Sequence, residues 1–176
     1  MGQSTISGII RETSAALYSV LKNDFLRFPS QEEEWKAIAF DFGERWNFYN
    51  CIGAMDGKHV RIDPPLNAGS MYYNYKEFNS IVLLALVDAQ LRFIYVDVGA
   101  NGRACDRGIW NRSSLKAALL SNSIHIPPPS ALPGTEETFP FVIVGDEGFT
   151  LTEQVLLPYP GLQCNNNRRK RIFNYR

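Results

Sequence analysis

The sequence predicts an α/β fold: a mixed β-sheet flanked by helices, with a short helical segment at the N-terminus. Three observations predict it. Apolar residues recur at helical spacing through the N-terminal quarter of the chain. Ser80 to Val87, SIVLLALV, is an unbroken apolar run of strand length, and Asp88-Ala89-Gln90 turns the chain after it. A second apolar run, Phe141-Val142-Ile143-Val144, comes after a helical stretch and ends in Gly145-Asp146. Strands on both sides of a helix imply a sheet of mixed strand direction.

Taken in order, Ile6, Ile9, Ile10, Thr13, Leu17, Val20 and Leu21 make one apolar stripe on a first helix. A second helix opens at a capping box of Ser30 and Glu33 after Pro29. It buries Trp35, Ile38, Ala39 and Phe42 and ends near Gly43. Amphipathic helices usually just pack, which is the expectation for both; a DNA-binding helical unit is the alternative. Cys51 to Ile62 reads as the first strand, with Val60 and Ile62 on one face and His59 and Arg61 on the other, stopped by Pro64-Pro65. Ser80 to Val87 does not alternate, so it is expected to be central and covered on both faces. Arg92 to Val98 returns as its antiparallel neighbour, and Gly99 to Gly102 leads to Asp106 and a helix through Trp110, Leu115 and Leu119. Ile126 to Pro140 is rich in proline and reads as a mobile loop. Leu151 to Leu157 reads as a helix stopped by Pro158, and the basic C-terminus as a frayed tail.

The 176 residues suffice for one domain with a helical appendage, divided here into a helical segment at 1–48 and a core at 49–176. Eighteen basic residues balance eighteen acidic ones, so no whole-chain field favours a polyanion. The local exception is Arg168, Arg169, Lys170 and Arg171, which follow the last acidic residue, Glu153. Cys51, Cys105 and Cys164 form no CxxC pair, and His59 and His125 lie far apart, which excludes a zinc finger and points to a reducing compartment. No run approaches the roughly 18 apolar residues of a membrane span, and no secretory leader pattern opens the chain. A soluble intracellular protein with no membrane partner is therefore expected. A phosphate-cradling G-x-x-x-x-G-K-[ST] loop and a G-x-G-x-x-G turn are both missing from the sequence.

Chemistry is expected where strands end, because ligands of α/β sheets bind over strand ends. Asp56 lies in GAMDGKH within the first strand, Asp146 directly follows FVIVG, and Asp106 follows a third strand onto the same rim. Clustered carboxylates repel: two unit charges about 4 Å apart cost about 4 kcal/mol at an effective dielectric near 20. A shared proton or a divalent cation relieves that, and all-oxygen donors favour Mg²⁺ or Mn²⁺ over zinc. The ordinary reading is that Asp-Gly forms a turn and Asp106 caps its helix. Periodicity alone does not decide between the two.

The runs CIGAMDGKHVRI, YYNYKEFNSIVLLALVDAQLRFIYVDVGANGRACDRGIW, VIVGDEGFTL, LLPYPGL and IFNYR stand in an order that resembles PIF/Harbinger-type DDE transposases and the nucleases domesticated from them. The resemblance covers roughly Tyr49 to Arg176, interrupted by the proline-rich stretch. It implies a ribonuclease H-like fold and a DDE metal site for Mg²⁺ or Mn²⁺. Asp56 and Asp146 match the family's two catalytic, metal-binding aspartates, and Asp106 matches an aspartate usually preceded by His or Ser, from which Cys105 departs. The family's catalytic glutamate belongs beyond the NYR motif, after Arg176, so the chain is expected to be C-terminally incomplete. The resemblance implies a nuclear protein, with the cytoplasm as a second compartment, that acts on DNA and has a separate DNA-binding protein as partner. The alternative is a catalytically inactive remnant that binds DNA or protein.

Lys58, His59 and Arg61, with Arg168, Arg169, Lys170 and Arg171, are the candidate DNA-phosphate contacts; exposed strand charge and a solvated tail are their plainer readings. Tyr72, Tyr73, Tyr75 and Lys76 mix aromatic and basic character as nucleic-acid surfaces do, although half-buried packing is the commoner role of such tyrosines.

Overall fold

A computed structural model describes residues 2–175. Two helices, α1 (Gln3–Phe25) and α2 (Glu32–Trp46), precede the strands β1 (Cys51–Arg61), β2 (Ser80–Val87) and β3 (Phe93–Asn101). Then come α3 (Asp106–Arg112), α4 (Ser114–Leu120), the two-residue strands β4 (Ser130–Ala131) and β5 (Thr138–Phe139), β6 (Val142–Gly145) and β7 (Val155–Leu156). Two short helices, α5 (Gly161–Cys164) and α6 (Arg168–Tyr175), end the described chain. The main sheet runs β3-β2-β1-β6-β7, antiparallel from β1 to β3 and parallel from β1 to β7. It is a five-stranded mixed sheet flanked by helices, compatible with a ribonuclease H-like fold, and the expected class holds.

The middle strand is β1, not the apolar β2. On β2, Ser80, Val82, Leu84 and Leu86 are fully buried, while Ile81, Leu83, Ala85 and Val87 are only half-buried. One face is therefore covered and the other partly open; the apolar run alone did not reveal that asymmetry. The buried face joins Met55, Ile109, Trp110, Leu115, Ile143 and Phe149 in the main core. Trp35 of α2 is wholly buried there, its Nε1–H donating to the Ile124 carbonyl at 2.8 Å and its ring meeting Phe28 edge-on. A second cluster of Phe42, Cys51 and Ala89 packs with Ala54 and Val144. Burial there pushes the Cys51 thiol up to about 12.

Several local expectations are corrected. The stripe of α1 is exposed: no residue of the helix is buried, and Ile6, Ile10, Leu17 and Val20 are among the exposed apolar side chains. At α2 the capping box is Gln31 with Glu34, one position later than Ser30 with Glu33. Ser30 instead donates its N–H and hydroxyl to Glu34 Oε2, holding that carboxyl below its ordinary range. Gly43 is buried inside the helix because a Cβ there would meet the Tyr49 ring at 2.8 Å; the stop is Asn47, in the left-handed region at φ 53. The helix after Asp106 breaks at Ser113, whose side chain accepts from Lys116 N–H to cap α4. The proline-rich stretch carries the β4–β5 pair, pinned by Asn50 Nδ2 donating to the carbonyls of Ser130 and Phe139. Leu151 to Leu157 forms no helix: Thr152 Oγ1 accepts from Gln154 and Val155 N–H, and Val155 then pairs with Ile143. The basic C-terminus is the helix α6 rather than a frayed tail, docked through Phe173 on Phe48 and Tyr159.

Candidate functional site

Strand register sets the site. β1 and β6 run parallel, and their last partners are Met55 and Gly145. Asp56 and Asp146 are the residues that follow those two partners on neighbouring strands. Beyond this point β6 leaves the edge of β1, while β2 continues to pair along its other side to Arg61. The Asp56 carboxylate accepts from Gly57 N–H at 2.7 Å. Asp146 is held by a turn in which its Oδ1 accepts from Gly148 N–H at 2.9 Å and its carbonyl accepts from Phe149 N–H. Phe149 is buried and anchors the turn; a Cβ on Gly145 would lie 3.0 Å from its ring, so the two pack tightly at the strand end.

Asp106 is the first residue of α3 rather than its cap, which is Cys105. Its carboxylate lies over Gly57: a Cβ there would overlap Asp106 Oδ1. A Cβ on Gly148 would lie 2.9 Å from Asp146 Oδ1 and 3.5 Å from Asp106 Oδ2, so these two carboxylates border one small space. Asp56 directly precedes Gly57 on β1, and its charge, like that of Asp146, reaches the Asp106 carboxyl. Burial first, then the charges of Asp146 and Asp56, raise the Asp106 carboxyl above its ordinary value; His59 and Lys76 pull it down.

Among the described residues, no ion pair joins Lys or Arg to any of these three aspartates. Their only nearby positive charge among the described residues is held at longer range, from His59 and Lys76 towards Asp106. Equally, no group of three or more His, Cys, Asp or Glu among the described residues is arranged to hold a metal ion unaided. The donor chemistry fits a hard cation held by one or two carboxylates, with water or a phosphate completing the shell. An all-protein cage it is not.

The other candidates are dispersed. Lys58 and Arg61 are exposed on β1 beyond Asp56, and the Arg61 guanidinium stacks 4.4 Å over the Phe78 ring. Arg168, Arg169, Lys170 and Arg171 lie on α6, where Lys170 sits over Tyr159 and donates to Gln163. A cleft of about 460 Å³ opens beside Asp146, lined by Phe42, Trp46, Ala54, Val144, Leu156 and Phe173 among others, and its apolar walls suit no phosphate. Sequence reasoning missed the hydrogen bond between His59 Nδ1 and Ser80 Oγ, 2.9 Å long across two strands. No local pattern marks such a pair.

Fold and site together define an α/β protein whose mixed sheet gathers carboxylates where neighbouring parallel strands diverge. The chain belongs to the DDE superfamily endonucleases, whose family model matches residues 55–176. No curated protein and no solved structure matches it. Among the described residues, no helix is long and apolar enough to cross a membrane.

Proposed function

We propose that this chain is a divalent-metal-dependent DNA nuclease domain of transposase origin, of the PIF/Harbinger kind. One observation carries the reading: parallel pairing of β1 with β6 makes Asp56 and Asp146 the next residues after the partners Met55 and Gly145. Asp56 and Asp146 are the catalytic carboxylates and hold Mg²⁺ or Mn²⁺, with Asp106 as an assisting ligand. A bound divalent ion supplies an activated water and neutralises charge on the phosphodiester being hydrolysed. The chain's own residues position that chemistry. Gly57 N–H and Gly148 N–H orient the two carboxylates through the hydrogen bonds they donate. Lys58 and Arg61, with Arg168, Arg169, Lys170 and Arg171, contact DNA phosphates and set the salt dependence of binding. Residues 49–176 form the nuclease core and 1–48 a helical segment. A nuclear location, and a separate protein that supplies DNA-sequence recognition, complete the reading.

The test is thermal melting with and without Mn²⁺. At a hundredfold excess over its dissociation constant the ion stabilises the folded chain by about 2.7 kcal/mol. Asp56→Asn and Asp146→Asn each remove most of that gain. A wild-type chain that gains nothing favours the second reading, an inactive remnant that binds DNA or protein, for which the lack of a three-ligand group among the described residues speaks.

A further inference from the structure

A second surface adjoins the acidic rim. Between β1 and β2 the chain makes a turn around Asn74, which is buried; its Oδ1 accepts from Lys76 and Phe78 N–H, and its Nδ2 donates to Ser80 Oγ at 2.8 Å. Ser80, wholly buried, also hydrogen-bonds His59 on β1. Buried polar groups with every partner in place rigidify what they join. Here they lock the turn against the sheet, and a Cβ on Gly102 would strike Ser80 Oγ and the Tyr72 carbonyl, so the turn has no slack on that side.

The rigid turn displays a ring. Tyr75 is 80% exposed; its ring meets that of His59 in a T-shaped contact, centroids 5.4 Å apart, and Lys76 Nζ lies over it, 5.4 Å from its centre. Phe78 also meets His59 edge-on and carries the Arg61 guanidinium. Gly57, His59 and Arg61 share one face of β1, successive ones about 6.6 Å apart at strand rise. Along that face the chemistry runs from the Asp106 carboxylate, over Gly57, to imidazole and then guanidinium. From Lys58 to Glu77, three cations (Lys58, Arg61 and Lys76) stand against two carboxylates, Asp63 and Glu77.

We propose that Tyr75, with Lys76, His59 and Arg61, is a platform for one unpaired DNA strand running past the acidic rim. The inference deepens the nuclease reading and rests on it. An exposed ring flanked by cations is the arrangement that stacks a base and holds its phosphates, and a ring face is open to a base only when that base is unpaired. Carboxylates at one end and cations at the other fix which way the phosphates lie.

The test is fluorescence anisotropy of a labelled pyrimidine-rich single strand, and of its duplex, with the full chain in EDTA. Tyr75→Ala weakens single-strand binding by about five- to hundredfold, the worth of one base–aromatic stack. Tyr75→Phe, which keeps the ring, changes it by less than about twofold. Lys76→Ala lowers the salt slope by about 0.7, the loss of one phosphate contact on a single strand. The duplex responds little to Tyr75→Ala. Tyr75 makes no buried contact to lose, so matched melting curves check that the variants fold. The proposal is overturned if the wild-type chain has no measurable affinity for the single strand, if Tyr75→Ala binds it as the wild type does, or if that variant loses duplex binding equally. EDTA keeps these outcomes independent of the cation site, whose own failure is read from the absent Mn²⁺ stabilisation.

Discussion

Replacing Gly57 with alanine puts a methyl group where Asp106 now keeps its carboxylate. Either β1 or the aspartate has to move. β1 is paired to β2 continuously from Ala54 to Arg61, whereas Asp106 can rotate about its own side-chain bonds, so the carboxylate leaves the rim. Overpacking costs about 1–3 kcal/mol in a well-filled interior, and a half-buried carboxylate released towards water brings the cost to the low end. In EDTA the variant should therefore melt close to the wild type. With Mn²⁺ the two part. The wild-type gain of about 2.7 kcal/mol at hundredfold excess corresponds to about 5–11 °C for a chain of this size. Losing an assisting group at a metal site weakens affinity by about 10- to 100-fold. At the same Mn²⁺ concentration the gain falls to about 0.4–1.4 kcal/mol, or about 1–6 °C. Differential scanning fluorimetry across a Mn²⁺ series reads this directly. If Gly57→Ala keeps the full wild-type rise on an unchanged EDTA baseline, Asp106 has no part in holding the ion.

Two buried tryptophans give a paired comparison in urea melts. Trp35 Nε1–H donates to Ile124 O, while Trp110 Nε1–H finds no acceptor among the described residues. Trp35→Phe leaves a buried carbonyl unsatisfied and should cost about 1–3 kcal/mol more than Trp110→Phe; equal losses would show that the Ile124 hydrogen bond is not formed. Asp106 also predicts a pH effect in the metal-free chain. Its folded pKa is raised, so its contribution to stability is full below the unfolded value and is lost as pH rises through the folded one. Asp106→Asn should therefore melt above the wild type at neutral pH in EDTA, with the gap closing as pH falls towards 4; a gap that widens on acidification reverses the sign and removes the argument.

The places of Asp56 within β1, of Asp146 after β6 and of Asp106 at the start of α3 were legible in the sequence, because each follows or interrupts a run whose strand character is plain. How near Asp56 and Asp146 come was not, since that depends on β1 pairing with β6 far along the chain. The same limit explains Leu151 to Leu157: a short apolar run has no period to read, and partnership with β6 made Val155–Leu156 a strand. For α1 the stripe was real as a pattern, but periodicity says only that a face is apolar and not what lies over it. Ser30 was rightly placed at the entrance to α2, yet Gln31 took the capping position while Ser30 joined from outside.

The unlike ages of the two strands at the acidic centre have a biological corollary. β1, β2 and β3 follow one another and can zip together from nearby pieces, whereas β6 must arrive after the long excursion through α3, α4 and the prolines. Distant pairings close late, because the entropy of the intervening loop is lost before any contact repays it. A chain still emerging from the ribosome, or one partly melted at β6, carries Asp56 without Asp146. The acidic rim is thus completed only at the final stage of folding, and any chemistry it supports waits for β6 to dock.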